Sequence, residues 1–171
     1  MKKLTLFIAA IFLAMGLYAQ QEFIVPEVPV AQKHQRMLSQ FDGMLAVGIN
    51  FAKTQGLTAA EYGSLIGEQF KYSWNKEAGF EGFVKGMLYN ASCFLVDPGT
   101  EITINTAEKV KFKTRLWAAS IKVNEPVYGV TYTECMDFFN AMAGKIGDYL
   151  GANYDGSYDD EWVYFTITKK N

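Results

Sequence analysis

The chain is short of the side chains on which most nucleophilic and metal chemistry depends. It has one histidine, His34, and two cysteines, Cys93 and Cys135, in 171 residues. A Ser-His-Asp or Cys-His site needs a histidine held beside its nucleophile by a third group. His34 sits at the edge of a proline-containing arm and reads as a solvated surface residue. One histidine and two distant cysteines do not supply a closed tetrahedral zinc set. No G-x-G-x-x-G follows a strand pattern and no Walker A pattern occurs, which excludes the glycine-rich phosphate loops. A basic excess is also missing. Of 16 basic side chains two are Lys2 and Lys3; without them 14 face 18 acidic ones, a formal charge of −4. Such a chain is a poor nucleic-acid binder by default.

Residues 1–19 are the most informative segment. Met1-Lys2-Lys3 is followed by an apolar run from Leu4 to Leu17, interrupted only by Thr5 among polar residues, and then by Tyr18-Ala19 before Gln20-Gln21. A basic start, an apolar middle and a small residue at the cut are the layout of a secretory signal peptide. Cleavage is expected after Ala19, leaving 152 residues, enough for one domain with a core of its own. The expected location is therefore periplasmic or secreted. No cysteine follows the leader, which argues against a lipoprotein anchor. The apolar run is also short for a span, and no later segment could cross a bilayer. In an oxidising compartment Cys93 and Cys135 read either as a disulfide, worth about 4 kcal/mol in the chain-entropy model, or as two buried thiols.

Gln20 to Val30, with Pro26 and Pro29, has no helical period and is expected to form an extended arm within residues 20–31. Residues 32–171 are expected to form one globular domain. A helix is predicted over Gln32 to Thr54, with Leu38, Phe41, Leu45, Ile49 and Ala52 on one face. Met37, Met44, Val47 and Phe51 widen that stripe, so the helix is expected to be central and buried. Thr58-Ala59-Ala60-Glu61 is a capping box, in which hydroxyl and carboxylate each satisfy a free N–H at a helix start. It opens a second helix reaching about Trp74. A third is predicted from about Phe80 to Ser92, and Asp97-Pro98-Gly99 marks a turn.

The period then changes from 3.6 to 2. Glu101–Thr106 alternates, and Lys109–Trp117 sets Val110, Phe112, Thr114 and Leu116 against Lys109, Lys111, Lys113 and Arg115. Ile121–Val123 extends this pattern or forms another short strand. Thr131–Glu134 is a second capping box, opening a helix to Leu150. Tyr154–Glu161 reads as an acidic turn, and Trp162–Thr168 as a final strand. The expected class is α+β, order ααα-ββ-α-β: a small antiparallel sheet of about three to four strands with about four helices on one face.

Two regions are candidate ligand sites. If the last strand pairs with Lys109–Trp117, the outer sheet face presents Lys113, Arg115 and Trp117 beside Trp162 and Tyr164. Cations among aromatics there could hold a flat anion, or could simply stabilise and protect the sheet. The alternative is an interior pocket near Tyr62, Phe70, Trp74, Phe83 and Tyr89. There Gly63, Gly67, Gly82 and Gly86 imply either close helix packing or space for a ligand. Asp155, Asp159, Asp160 and Glu161 form an acidic cluster whose spacing does not match the helix–loop–helix calcium pattern. The residues imply no metal and no cofactor.

The helices-then-sheet order over Leu38 to Lys170 is similar in layout to the L-2-amino-thiazoline-4-carboxylate hydrolases. The resemblance implies a small exported hydrolase. The final strand, Trp162-Val163-Tyr164-Phe165-Thr166-Ile167, lacks the cysteine associated with that family, so no catalytic residue carries over. A hydrolase without histidine would instead rely on Glu61, Glu68 or Tyr62. The reading that the residues favour is a non-enzymatic exported domain that binds a small molecule or a protein partner. An accessory subunit of an envelope complex, docked through the arm or the sheet face, is the remaining alternative.

Overall fold

The computed structural model describes residues 26–94 and 99–171. The leader, most of the arm and the first two residues of the Asp97-Pro98-Gly99 turn lie outside that range. Among the described residues the chain folds into five α-helices and a four-stranded antiparallel sheet, an α+β architecture in the expected order. None of these helices is long and apolar enough to cross a membrane.

Helix α1 (Val30–Thr54) begins directly after Pro29, whose carbonyl accepts the first helical bond from the Lys33 amide at 3.0 Å. Pro26–Pro29 is non-helical, as the arm requires. Helix α2 (Ala59–Phe70) starts at the predicted capping box. The Glu61 amide donates to Thr58 Oγ1 at 3.1 Å and the Thr58 amide to Glu61 Oε2 at 2.7 Å. Two short 3₁₀ turns, Lys71–Ser73 and Lys76–Ala78, lead into α3 (Gly79–Phe94). Strands β1 (Glu101–Asn105) and β2 (Lys109–Arg115) follow, then a short helix α4 (Ala119–Asn124). Helix α5 (Tyr132–Tyr149) opens on the second capping box, Thr131 with Glu134. Strands β3 (Ala152–Tyr158) and β4 (Trp162–Lys169) close the chain, in the sheet order β1-β2-β4-β3.

Three expectations change. Ile121–Val123 is helical, because Ala118 takes a left-handed conformation (φ 52°) that ends the strand path and turns the chain. The stretch read as an acidic turn is largely strand β3. It pairs with β4 from Ala152↔Lys169 to Tyr158↔Val163, so backbone pairing overrides a polar side-chain pattern at this sheet edge. Helix α1 is not central. Its buried residues are Asp42, Ala46, Ile49 and Ala52, whereas Met37, Met44, Val47 and Phe51 are exposed and Phe41 partly so.

The inner sheet face carries Val110, Phe112 and Thr114 from β2 and Val163, Phe165 and Ile167 from β4, all buried. Phe112 stacks on Phe165 with centroids 4.7 Å apart. Helix α5 lies over this face, and α2 lies against α5. The α2–α5 contact is close because Gly63 and Gly67 leave the backbone bare. A Cβ on Gly63 would lie 2.1 Å from the Phe138 carbonyl oxygen, and one on Gly67 2.7 Å from that of Met142. Gly86 makes room instead for the Trp74 ring, 2.2 Å from where its Cβ would be. These glycines serve packing, the commoner of the two roles expected of them.

Candidate functional site

The outer sheet face brings most of the predicted residues together. Lys113 and Arg115 on β2 flank Trp162 on β4: Lys113 Nζ lies 4.0 Å and Arg115 Cζ 4.1 Å from its ring centroid. This follows from the register, Lys113↔Tyr164 and Arg115↔Trp162. The charges are already answered within the chain. Lys113 pairs with Glu101 at 3.0 Å and Arg115 with Glu161 at 3.3 Å. The Tyr164 hydroxyl donates to Asp159 Oδ2 at 2.6 Å, which lowers the Asp159 carboxyl below its usual range, helped by the Glu161 and Trp162 amides. A cation–aromatic ladder with its counter-ions in place stabilises a sheet and leaves little unspent charge for an anion.

Trp117 does not join that face. The alternation that would put it there stops with β2 at Arg115. The ring instead packs on Phe139 of α5, with centroids 5.0 Å apart. Its indole Nε1 is buried without a hydrogen-bond partner among the described residues.

The cysteines do not bridge. Cys93 is exposed in the last turn of α3, whereas Cys135 is fully buried in α5. Burial pushes the Cys135 thiol up to about 12, so it stays protonated and behaves as a small apolar group. The acidic cluster is dispersed as well. Asp155 lies within β3, Asp160 pairs with Lys122 at 3.8 Å, and Asp159 caps the following turn. Among the described residues no group of three or more His, Cys, Asp or Glu could hold a metal. His34 Nε2 donates to the Cys93 carbonyl at 3.0 Å, tying α1 to the end of α3.

The carboxylates considered for acid–base work are occupied. Glu61 is held below its usual range by the Thr58 backbone amide and then by the Thr58 hydroxyl. Glu68 is lowered by its hydrogen bond from Lys71, with Lys145 also near. Both stay ionised at neutral pH and neither lies in an apolar pocket, so neither has the raised proton affinity a general acid needs.

The interior holds the more apolar feature. A cavity of about 600 Å³ lies between α1, α2, α3, α5 and the inner sheet face. Of the pocket residues expected from sequence, Tyr62, Phe70 and Trp74 line it. Phe83 lies behind it, fully buried against Trp74 with centroids 5.7 Å apart. Tyr89 is on the opposite side of α3, 70% exposed. The lining also includes Met44 and Leu45 of α1, Met87 and the polar Asn90 of α3, Trp117, and Phe138, Phe139 and Met142 of α5. Thr114 is a rare polar wall group, and its hydroxyl is spent on the Arg115 carbonyl at 3.0 Å. The exposed apolar residues Phe41, Met44, Phe70 and Phe94 all border this space, and the Phe41 and Phe94 rings meet at 5.2 Å. Part of the apolar exposure of α1, at Phe41 and Met44, thus borders an opening.

A second hollow, about 710 Å³ and open to solvent, adjoins the first. Phe94 and Trp117 line both. Its walls are mixed: Gln32, Gln35, Arg36, Ser39 and Asp42 with Leu38 on α1, and opposite them Arg115 and Ser120 with the apolar Leu116, Ala118 and Ala119. Asp42 is only 8% exposed. Burial raises its carboxyl above the usual range, and the Ser120 hydroxyl, donating to Oδ2 at 2.6 Å, opposes that rise. No sequence motif marked Asp42 or Ser120. The available signal was one acid, Asp42, on the same helical side as Ala46 and Ile49.

Comparison with family models, with curated proteins and with solved structures gave no match to this chain.

Proposed function

We propose that this is an exported, non-enzymatic protein that binds an apolar small molecule in the cavity beneath α1 and α3. The carrying observation is the cavity itself: about 600 Å³, walled by aromatic and methionine side chains, and rimmed by apolar groups exposed to solvent. Pockets for drug-sized ligands have this volume and this predominantly apolar lining. Methionine and aromatic walls adapt to ligands of irregular shape. Leaving Phe41, Met44 and Phe70 in water is unfavourable for a protein that only needs to fold, and such patches mark binding sites.

Export rests on the leader, and the absence of catalysis on the scarcity of histidine and the engaged carboxylates. The test is titration of the purified protein, lacking residues 1–19, with the uncharged fluorophore N-phenyl-1-naphthylamine. One saturable site is expected. Ala91→Trp on α3 should fill the cavity and weaken binding at least about tenfold while the circular dichroism spectrum is kept. Absence of saturable binding to the folded wild-type protein would refute the reading.

A further inference from the structure

The hollow beside the cavity contains a buried carboxylate, Asp42, that makes no ion pair among the described residues. Asp42 is 92% buried by its 8% exposure, and its one side-chain partner is the neutral Ser120 hydroxyl. Among the described residues no lysine or arginine pairs with it. A buried carboxylate is ordinarily matched by a positive charge or by several donors, because desolvation of the ion is costly. Its neighbours do not supply one. Tyr132 and Cys135 are neutral groups held protonated by burial, and Glu134, near Cys135, is itself paired with Lys53. Lys122 is committed to Asp160 and to the Tyr132 and Tyr158 rings. Arg115 also lines the hollow, but its guanidinium is taken up by the Trp162 ring and by Glu161 at 3.3 Å. Arg36 borders the hollow, but it is exposed on α1, six residues from Asp42 and so about 9 Å along the axis. It faces water at the outer rim, where its charge is screened.

We propose that the ligand is a hydrophobic amine. This rests on the apolar-cavity reading above and names its chemical class. The apolar body occupies the cavity, the threshold at Phe94 and Trp117 separates the two ends, and the protonated nitrogen lies in the hollow against Asp42. Its N–H groups donate to the carboxylate oxygen that Ser120 leaves open. The aromatic walls of the junction favour a cation over an anion in the same place. Arg36 at the rim favours the opposite, and the comparison of amine with acid reads out which group dominates.

The experiment displaces N-phenyl-1-naphthylamine with dodecylamine, 1-dodecanol and dodecanoate at pH 7, below their micellar concentrations, from the wild-type protein and from Asp42→Asn. In the wild type, dodecylamine should bind about tenfold or more tightly than dodecanol, and dodecanoate most weakly. Asp42→Asn should remove the amine's advantage and leave dodecanol affinity unchanged. If Asp42→Asn does not fold, Asp42→Ser is read in the same way. Equal binding of amine and alcohol by the wild type would overturn the proposal, as would the acid binding best or a preference that survives in the variant. Failure of every probe, the fluorophore included, would instead remove the cavity reading on which the proposal rests.

Discussion

The α2–α5 seam and the space beneath α1 and α3 are walled by the same kinds of side chain, yet they are packed in opposite ways. In the seam, glycine removes side chains so that backbones meet: Gly63 lies against the Phe138 carbonyl and Gly67 against Met142. Across from it, Phe41, Met44, Leu45, Met87 and Phe139 surround a void of about 600 Å³. Two of the apolar residues that border that void, Phe41 and Met44 of α1, are 45% and 77% exposed. Composition alone does not separate the two regions. What separates them is whether a helix approaches closely enough for its apolar stripe to reach a partner. A protein interior ordinarily packs to crystalline density, so a void of this size flanked by unburied apolar side chains is better explained by an occupant than by poor packing.

The sharpest test of that contrast uses one substitution on both sides. Phe112 is 2% exposed and stacked on Phe165, so Phe112→Ala should cost about 4 kcal/mol in urea unfolding. Phe41→Ala, at a side chain 45% exposed that borders the void, should cost about 1 kcal/mol or less. Equal losses would mean that the α1 side is packed core after all. Next in size is Gly63→Ala. Its Cβ would collide with backbone, which cannot swing aside as a side chain would, so about 3 kcal/mol should be lost. The same Gly→Ala change at Gly144 in α5, where no neighbour lies within 4 Å of the added Cβ, should instead stabilise the helix by about 1 kcal/mol. A Gly63→Ala protein of wild-type stability would show that α2 and α5 can separate freely.

Much of this architecture was legible because its signals are local. Both capping boxes form as Thr58–Glu61 and Thr131–Glu134 imply, and the alternation in Lys109–Arg115 and Trp162–Thr168 sets the correct faces. That alternation also placed Lys113 and Arg115 beside Trp162. Strand β3 was illegible because Asp155, Gly156 and Ser157 have little strand propensity. It is held by pairing with β4 and by Asn140, which donates to the Gly156 carbonyl and accepts from the Tyr154 hydroxyl. Trp117 was misplaced because alternation cannot show where a strand ends, and the left-handed Ala118 beside it is not a residue that announces a turn. The cavity was half legible: Tyr62, Phe70 and Trp74 were recognisable as aromatic lining. Sequence periodicity does not distinguish a filled space from an open one, and it gave no role to Asp42 because hydrophobic patterns pass over single acids.

The smallest expected effect concerns Asp42 and carries a sign that separates it from the other shifted carboxyls. Burial raises the Asp42 carboxyl, so the folded protein binds its proton more tightly than the unfolded chain does. Below the ordinary carboxylate value of 3.8 Asp42 is protonated in both states and costs nothing. As pH rises from there through the raised folded value, the unfolded chain ionises first, and stability is lost. Glu61 and Glu68 are lowered, so their contributions run the other way and fade as pH falls through their folded values. Asp42→Asn removes that opposing contribution while keeping the side chain's shape and an acceptor for Ser120. Paired urea unfolding at pH 7 and pH 3 should find the variant slightly more stable than wild type at pH 7, and that difference gone at pH 3. A site kept at a cost to stability is expected where function holds it. If the variant is less stable at pH 7, Asp42 is a structural partner of Ser120 rather than a charge awaiting a cation. The two sides of the molecule would then differ in packing but not in purpose.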